Sequence, residues 1–235
     1  MLKCIDKNIW VAEQPLKYFG LSVGTRMTVI RLKSGKLVVI SPIKVDDSII
    51  KQLQEIGDVA YIIAPNLYHY LFVSDFKALY PLANLLAAPG LEIKQPELPI
   101  DRTIREGENL FSGEIEYLFF DGFKTFAFDN KLMNEFVFFH PESSSLILTD
   151  TAYNFDESSP LVTQLAMRTI GGYKKLSPSL IEKLATQEKE KVKQAVKKVL
   201  LWDFKRVIMA HGSIVENDAK PKFQEGYEWF LNTLL

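Results

Sequence analysis

The apolar run at residues 59–63, arriving after a capped helix and a β-branched strand, restricts this chain more than any other feature. A strand with one wet face alternates apolar and polar side chains. A run without alternation is buried on both faces, as in a parallel sheet covered by helices. The preceding residues complete a strand–helix–strand unit. Residues 27–32 and 37–40 are apolar and β-branched, and Lys33-Ser34-Gly35-Lys36 between them is a hairpin turn in which Gly35 is free to take positive φ. Pro42 ends the second strand, having no N–H for a ladder. Asp46 or Asp47 then caps a helix with Ile49, Leu53 and Ile56 on one face, Ile50 beside them, and Gly57 at its end. The strand at 59–63 is therefore predicted parallel to the one before the helix, and the fold class is α/β.

The rest of the chain extends this pattern. Pro65-Asn66 breaks the strand, a helix is expected from about Tyr68 to Tyr80, and residues 84–88 form the next strand, closed by Pro89-Gly90. Residues 91–108, broken by Pro96 and Pro99, read as an irregular connection. Short runs at 114–120, 125–128, 135–140 and 145–150 follow, split by Asp121-Gly122, Asp129-Asn130 and a turn at 141–144, which suits an antiparallel meander. Its phenylalanines (among them Phe119, Phe120, Phe126, Phe128, Phe136 and Phe138) are mostly core, and their number would also suit an apolar cavity or an association surface. Beyond Asp150 the period turns helical. Ser177-Pro178 reads as a cap with proline at the first helical position, and Val192, Ala195, Val196, Val199 and Leu200 form an apolar stripe. Residues 205–210 are a last buried strand, and a terminal helix presents Phe223, Tyr227, Phe230, Leu231 and Leu234 to the core. Outer helices around two groups of strands suit a four-layer αββα sandwich. With no repeat and no shift in composition, residues 1–235 are expected to be a single domain.

Composition removes several function classes. With 28 basic and 29 acidic residues the net charge is −1, which gives no electrostatic case for nucleic acid or a membrane surface. It leaves a homodimer through the aromatic strands or the terminal helix open. The single Cys4 rules out an internal disulfide and any multi-cysteine zinc site, and with only Lys3 beside it gives no sign of an activated thiolate. No targeting segment is visible and no apolar run approaches the roughly 20 residues that span a bilayer, so a cytoplasmic protein is expected. The sequence holds no G-x-S-x-G elbow, phosphate-binding glycine loop, G-x-G-x-x-G or H-E-x-x-H.

What remains is a set of polar residues at strand ends, where open α/β sheets bind ligands. The run at 59–63 leads to Asn66 and His69, 114–120 to Asp121, 145–149 to Asp150, and 207–210 to His211. Should these open on one side, imidazoles and carboxylates suited to zinc, iron or manganese share one mouth. The only histidines are His69, His140 and His211, so any metal depends on those plus carboxylates. His140, before Pro141 in a hairpin, reads as a surface or turn-stabilising residue. His69, between Tyr68 and Tyr70, suits a structural role as well as a ligand role. His211 is the best candidate, because a histidine at the mouth of a buried strand has little packing purpose.

The order of strand, Asn66-Leu67-Tyr68-His69, later strand, Asp150, last strand, His211-Gly212 resembles the metallo-β-lactamase superfamily, and more closely a divergent branch of it. Residues 26–32, 64–69, 138–141 and 210–212 carry the resemblance, which covers about Met27 to Leu231. It implies an αββα sandwich with a metal site at the shared edge of two sheets. The departures are extensive. Where the superfamily's hydrolases place H-x-H-x-D-H, Asn66, Tyr68 and Leu71 stand at the histidine positions and Tyr70 at the aspartate, with His69 between positions. Phe123-Lys124 follows Gly122 where a further histidine is expected, and Ser41-Pro42 replaces an aspartate. Asp150 and His211 survive at the positions of the bridging carboxylate and the last histidine. The resemblance thus implies no conventional dinuclear hydrolase. Two readings stay open, and with them whether the chain is an enzyme. In the first no cofactor is expected, and a small molecule or a protein binds at the old cleft, on Asn66, Tyr68, His69, Tyr70 and Asp121 around Asp150 and His211. In the second, one zinc, iron or manganese ion on His69, Asp150 and His211 hydrolyses small esters, thioesters or phosphoesters.

Overall fold

The computed structural model describes residues 1–125 and 132–235. The chain opens with β1 (Lys3–Asp6), β2 (Ile9–Gln14) and the short pair β3 (Lys17–Tyr18) and β4 (Leu21–Ser22). The expected hairpin is β5 (Thr25–Arg31) against β6 (Lys36–Ile40). Helix α1 (Asp47–Ile56) starts where the Asp46 carboxylate accepts from the Ile49 N–H at 2.8 Å, and β7 (Asp58–Ala64) returns parallel to β6. Next come α2 (Val73–Leu79), β8 (Asn84–Ala87), α3 (Leu91–Lys94) and β9 (Arg102–Thr103). The meander is β10 (Glu116–Phe120), β11 (Glu135–His140) and β12 (Ser145–Ile147). It is followed by α4 (Leu161–Ile170), α5 (Leu180–Ala185), α6 (Lys189–Val199), β13 (Arg206–Ile208) and α7 (Ala219–Leu231).

These strands make two main sheets, ordered β1-β2-β5-β6-β7-β8-β9 and β10-β11-β12-β13. Because successive side chains on a strand point to opposite faces, each buried strand feeds two layers. Leu37 and Val39 of β6 face outward to meet Ile49 and Leu53 of α1 and Phe76 of α2. Val38 and Ile40 face inward, where with Ile30 and Ile63 they meet Phe136, Phe138, Ile147 and Ile208 of the second sheet. The far face of that sheet, through Val137, Leu146 and Val207, is covered by Val192, Val196 and Val199 of α6 and Phe223, Tyr227 and Phe230 of α7. The result is the predicted αββα sandwich. No helix among the described residues is long and apolar enough to cross a membrane.

Several local expectations are corrected. The helix expected from Tyr68 begins only at Val73, because the Asn66 side chain takes the N–H groups of Tyr68 and His69 and holds a turn there. The connection after Pro89-Gly90 is not wholly irregular, since it contains α3 and β9. The helix cap is Ser179 rather than Ser177: its hydroxyl accepts from the Ile181 N–H while Glu182 accepts from the Ser179 N–H, so Pro178 lies before the helix. Leu234 lies beyond the end of α7 and is exposed. The strand expected at 125–128, with Phe126, Phe128 and the Asp129-Asn130 turn, lies almost entirely outside the described residues.

His140 is turn-stabilising, as expected, but it is buried rather than at the surface, with Nδ1 2.7 Å from Ser143 Oγ. Burial pushes its imidazole below the ordinary value of 6.5, outweighing Glu142, Glu114 and Asp6. The unfolded chain therefore takes up a proton that the folded chain refuses. Stability from this group is complete above about pH 6.5 and declines as acid is added. Urea unfolding compared at neutral and mildly acidic pH should show a smaller acid loss in His140→Gln than in the parent. Equal losses would contradict the assignment.

Candidate metal centre

The strand ends that matter meet at one edge. Because β6 and β7 are parallel, they deliver Ser41 and the Asn66-to-His69 turn together, and β5, antiparallel to β6, brings Gly24 and Arg26 to the same edge. In the second sheet β12 and β13 are parallel and lead to Asp150 and His211, while antiparallel β11 starts beside them with Glu135.

His69, Asp150 and His211 form the centre, with their ligand-type atoms all within 4.8 Å of one another. His69 Nε2 lies 3.3 Å from Asp150 Oδ2, and His211 Nε2 lies 3.3 Å from Oδ1. The opposite ring nitrogens are engaged. His211 Nδ1 is 2.6 Å from the Gly24 carbonyl oxygen. A carbonyl only accepts, so Nδ1 carries a proton and donates to it, which leaves Nε2 as the ring nitrogen that faces Asp150. His69 Nδ1 is 2.6 Å from Ser41 Oγ. A lone pair facing a carboxylate is unfavourable unless a cation or a proton lies between them. Imidazolium–carboxylate bonds run at about 2.7–2.9 Å. The two 3.3 Å separations are longer than this, and they run to different oxygens of Asp150. Two imidazoles and a carboxylate, with the imidazoles fixed through Nδ1, fit one zinc- or ferrous-type ion.

A buried polar network holds this geometry. Asn66 is fully buried; its Nδ2 lies 2.8 Å from Asp150 Oδ2 and 2.9 Å from Glu135 Oε2, and its Oδ1 accepts from the Tyr68 and His69 N–H groups, both at 2.8 Å. Glu135, also fully buried, accepts from the Thr149 and Asp150 N–H groups and the Thr151 hydroxyl, each at 2.8 Å. On the other side, the buried Arg26 guanidinium donates to the carbonyls of Met209 and Gly212 that flank His211, and to Glu13 at 2.8 Å. Gly212 has φ +82° and lies so close to Asn154 that a Cβ would run into the Asn154 backbone. The His211 side chain is thereby aimed from both sides.

Electrostatics tie the cluster together. Burial alone would lower the His69 imidazole, but the Asp150 charge and hydrogen bond overcome it and hold His69 above its ordinary value. Burial would likewise raise the Asp150 carboxyl. The facing His69 and the bond from His211 reverse this and hold Asp150 far below the usual carboxylate range.

The cluster opens into a cavity of about 700 Å³. Tyr68 and Tyr70 line it beside His69, and the Lys94 ammonium sits 4.0 Å and 5.3 Å from their ring centres. Of the residues expected at the cleft, His69, Asp150 and His211 are brought together, with Tyr68 and Tyr70 adjacent. Asn66 sits behind them, fully buried, with its polar atoms bonded within the protein. Asp121 is elsewhere. It leaves β10, the edge strand two places from β12, and lies 3.6 Å from Lys191 on α6. His140 closes the opposite end of β11. The residues missed from sequence are Gly24, Arg26, Ser41 and Glu135. For Arg26 and Glu135 a signal existed, since each is a charge inside a strand that is otherwise buried.

A family model described as "Domain of unknown function (DUF4336)" matches residues 6–175. No curated protein matches the chain. Among solved structures, a metallo-β-lactamase from Pontibacter korlensis aligns with TM-score 0.65 at 12% identity, covering 97% of this chain and 98% of its own. One from Erythrobacter litoralis, with β-mercaptoethanol in its active site, gives 0.67 at 11%, covering 97% and 96%. The metal-soaked Flv1 flavodiiron core from Synechocystis gives 0.67 at 14%, covering 99% of this chain and 60% of its own. At such identities the likeness is one of fold. The chain has the metallo-β-lactamase fold, and it belongs to the family of the DUF4336 domain.

Proposed function

We propose that this protein holds a single divalent transition-metal ion on His69, Asp150 and His211 and hydrolyses a small ester or thioester in the adjoining cavity. The observation that carries this reading is the His211 ring, whose Nδ1 is committed to the Gly24 carbonyl while its Nε2 faces Asp150 at 3.3 Å. Three protein ligands with open positions are the usual set for a hydrolytic site, where the ion supplies Lewis acidity and an activated water. The chain's own residues do the rest. Ser41 and Gly24 fix the imidazoles, Glu135 and Asn66 fix Asp150, and the apolar walls limit bulk water. Asn66 and Tyr70 stand where carboxylate or histidine ligands of a second ion would be, which supports one ion rather than two.

Elemental analysis of protein from cells supplied with zinc, iron and manganese should find one ion per chain. His211→Ala should lose it while keeping the parent's circular dichroism, and Ser41→Ala should bind it about 10–100-fold more weakly. A metal-free parent, or full occupancy in His211→Ala, would sink the proposal. One observation favours a second reading as a metal-free binding protein. The Asn66 amide at 2.8 Å and a protonated His69 can together balance Asp150 without an ion. Ligand-induced stabilisation that persists in chelator-treated protein, with no metal in the parent, is the outcome for that case.

A further inference from the structure

We infer that the cavity takes a long acyl or alkyl chain, with the head of the molecule at His69, Asp150 and His211. This names the substrate class of the site proposed above and rests on that cluster being the reacting end.

The cavity volume, about 700 Å³, is within the range of small-molecule sites. Its walls include Leu16, Leu21, Val23, Pro42, Phe155 and Met167. Beyond the cluster, the lining also holds Thr25, Tyr153, Ser179 and Glu182. Glu182 lines the cavity, but its carboxylate is engaged by the Ser179 N–H and hydroxyl in the helix cap. Lys94 donates to the Leu67 carbonyl at 2.7 Å and lies over Tyr68, which places its positive charge on the His69 side. Against the apolar stretch formed by Leu16, Leu21, Val23, Phe155 and Met167, a sugar or a nucleotide would bury hydroxyls or phosphates without partners, which is costly. A methylene chain needs none.

The rim points the same way. Phe19, Leu71 and Ile181 line the cavity yet are 72%, 61% and 39% exposed. Exposed apolar side chains at the mouth of a pocket commonly mark the approach of an apolar ligand.

The test is calorimetric titration with straight-chain carboxylates and matching primary alcohols, from six to fourteen carbons, each below its micelle-forming concentration. Chelator-treated and zinc-supplemented protein are run in parallel. Affinity should rise about three- to fourfold per methylene until the cavity is filled. Met167→Trp should move the plateau to shorter chains, and a melting curve confirms that it folds. Affinity independent of chain length in both series, or no binding in either, overturns the inference. So does a Met167→Trp plateau that does not move. Because chain binding is read in the chelated protein, its failure is separable from failure of the metal reading, which metal content alone decides.

Discussion

Glu135→Leu is expected to cost about 3–5 kcal/mol of folding stability, the usual result of removing one partner from a buried charged network. The leucine leaves the Thr149 and Asp150 N–H groups and the Thr151 hydroxyl without the acceptor they now share, and Asn66 loses one of its partners. Each orphaned buried donor costs about 1–3 kcal/mol. Glu135→Gln should cost less, because it keeps one acceptor oxygen and sets its NH2 group against only one pair of donors, either the Thr149 N–H and Thr151 hydroxyl or the Asp150 N–H and Asn66 amide. Denaturant unfolding of the parent and both variants decides the matter. If leucine is tolerated within about 1 kcal/mol, the network does not hold the site as described.

Arg26→Met should separate positioning from packing. Methionine retains much of the apolar stem but none of the donors that hold the Met209 and Gly212 carbonyls. Two buried carbonyls losing charge-assisted partners predicts about 2–4 kcal/mol of destabilisation. At temperatures where the variant is still folded, its affinity for zinc should also fall, because the backbone around His211 has lost its clamp. A variant that is less stable yet binds zinc as tightly as the parent would assign Arg26 to packing alone. Arg26→Lys should recover only part of either effect, since an ammonium does not reproduce the fork of a guanidinium.

Much of the frame was legible because burial leaves a direct trace in side-chain pattern. The unbroken apolar run ending in Ile63 announced a strand covered on both faces, and Val38 and Val39 do face different layers. Asp46 and Gly57 bound their helix as local chemistry requires. The edge was less legible. The short β3–β4 pair carries no long apolar period, and Tyr18 and Phe19 at its turn are exposed. The turn at Tyr68 was hidden because an Asn66 side chain, rather than a propensity, decides where α2 can begin. Within the site, Asp150 and His211 could be picked out by their positions after buried strands. Whether they meet depends on the pairing of β12 with β13, about sixty residues apart, and whether His69 joins them depends on the packing of the two sheets, neither of which a local pattern records. Asp121 had the same local look and went elsewhere, because its strand lies at a sheet edge.

The family match stops at residue 175, whereas β13, α7 and His211 all come later. A fragment cut there would keep His69 and Asp150 but would strip Phe223, Tyr227 and Phe230 from the second sheet and leave β12 as a raw edge. Supplied separately, the remaining sixty residues would have to dock a strand and three helices at once to restore the third member of the cluster. Recovery of zinc affinity on mixing the two pieces would then report reassembly of the whole sandwich.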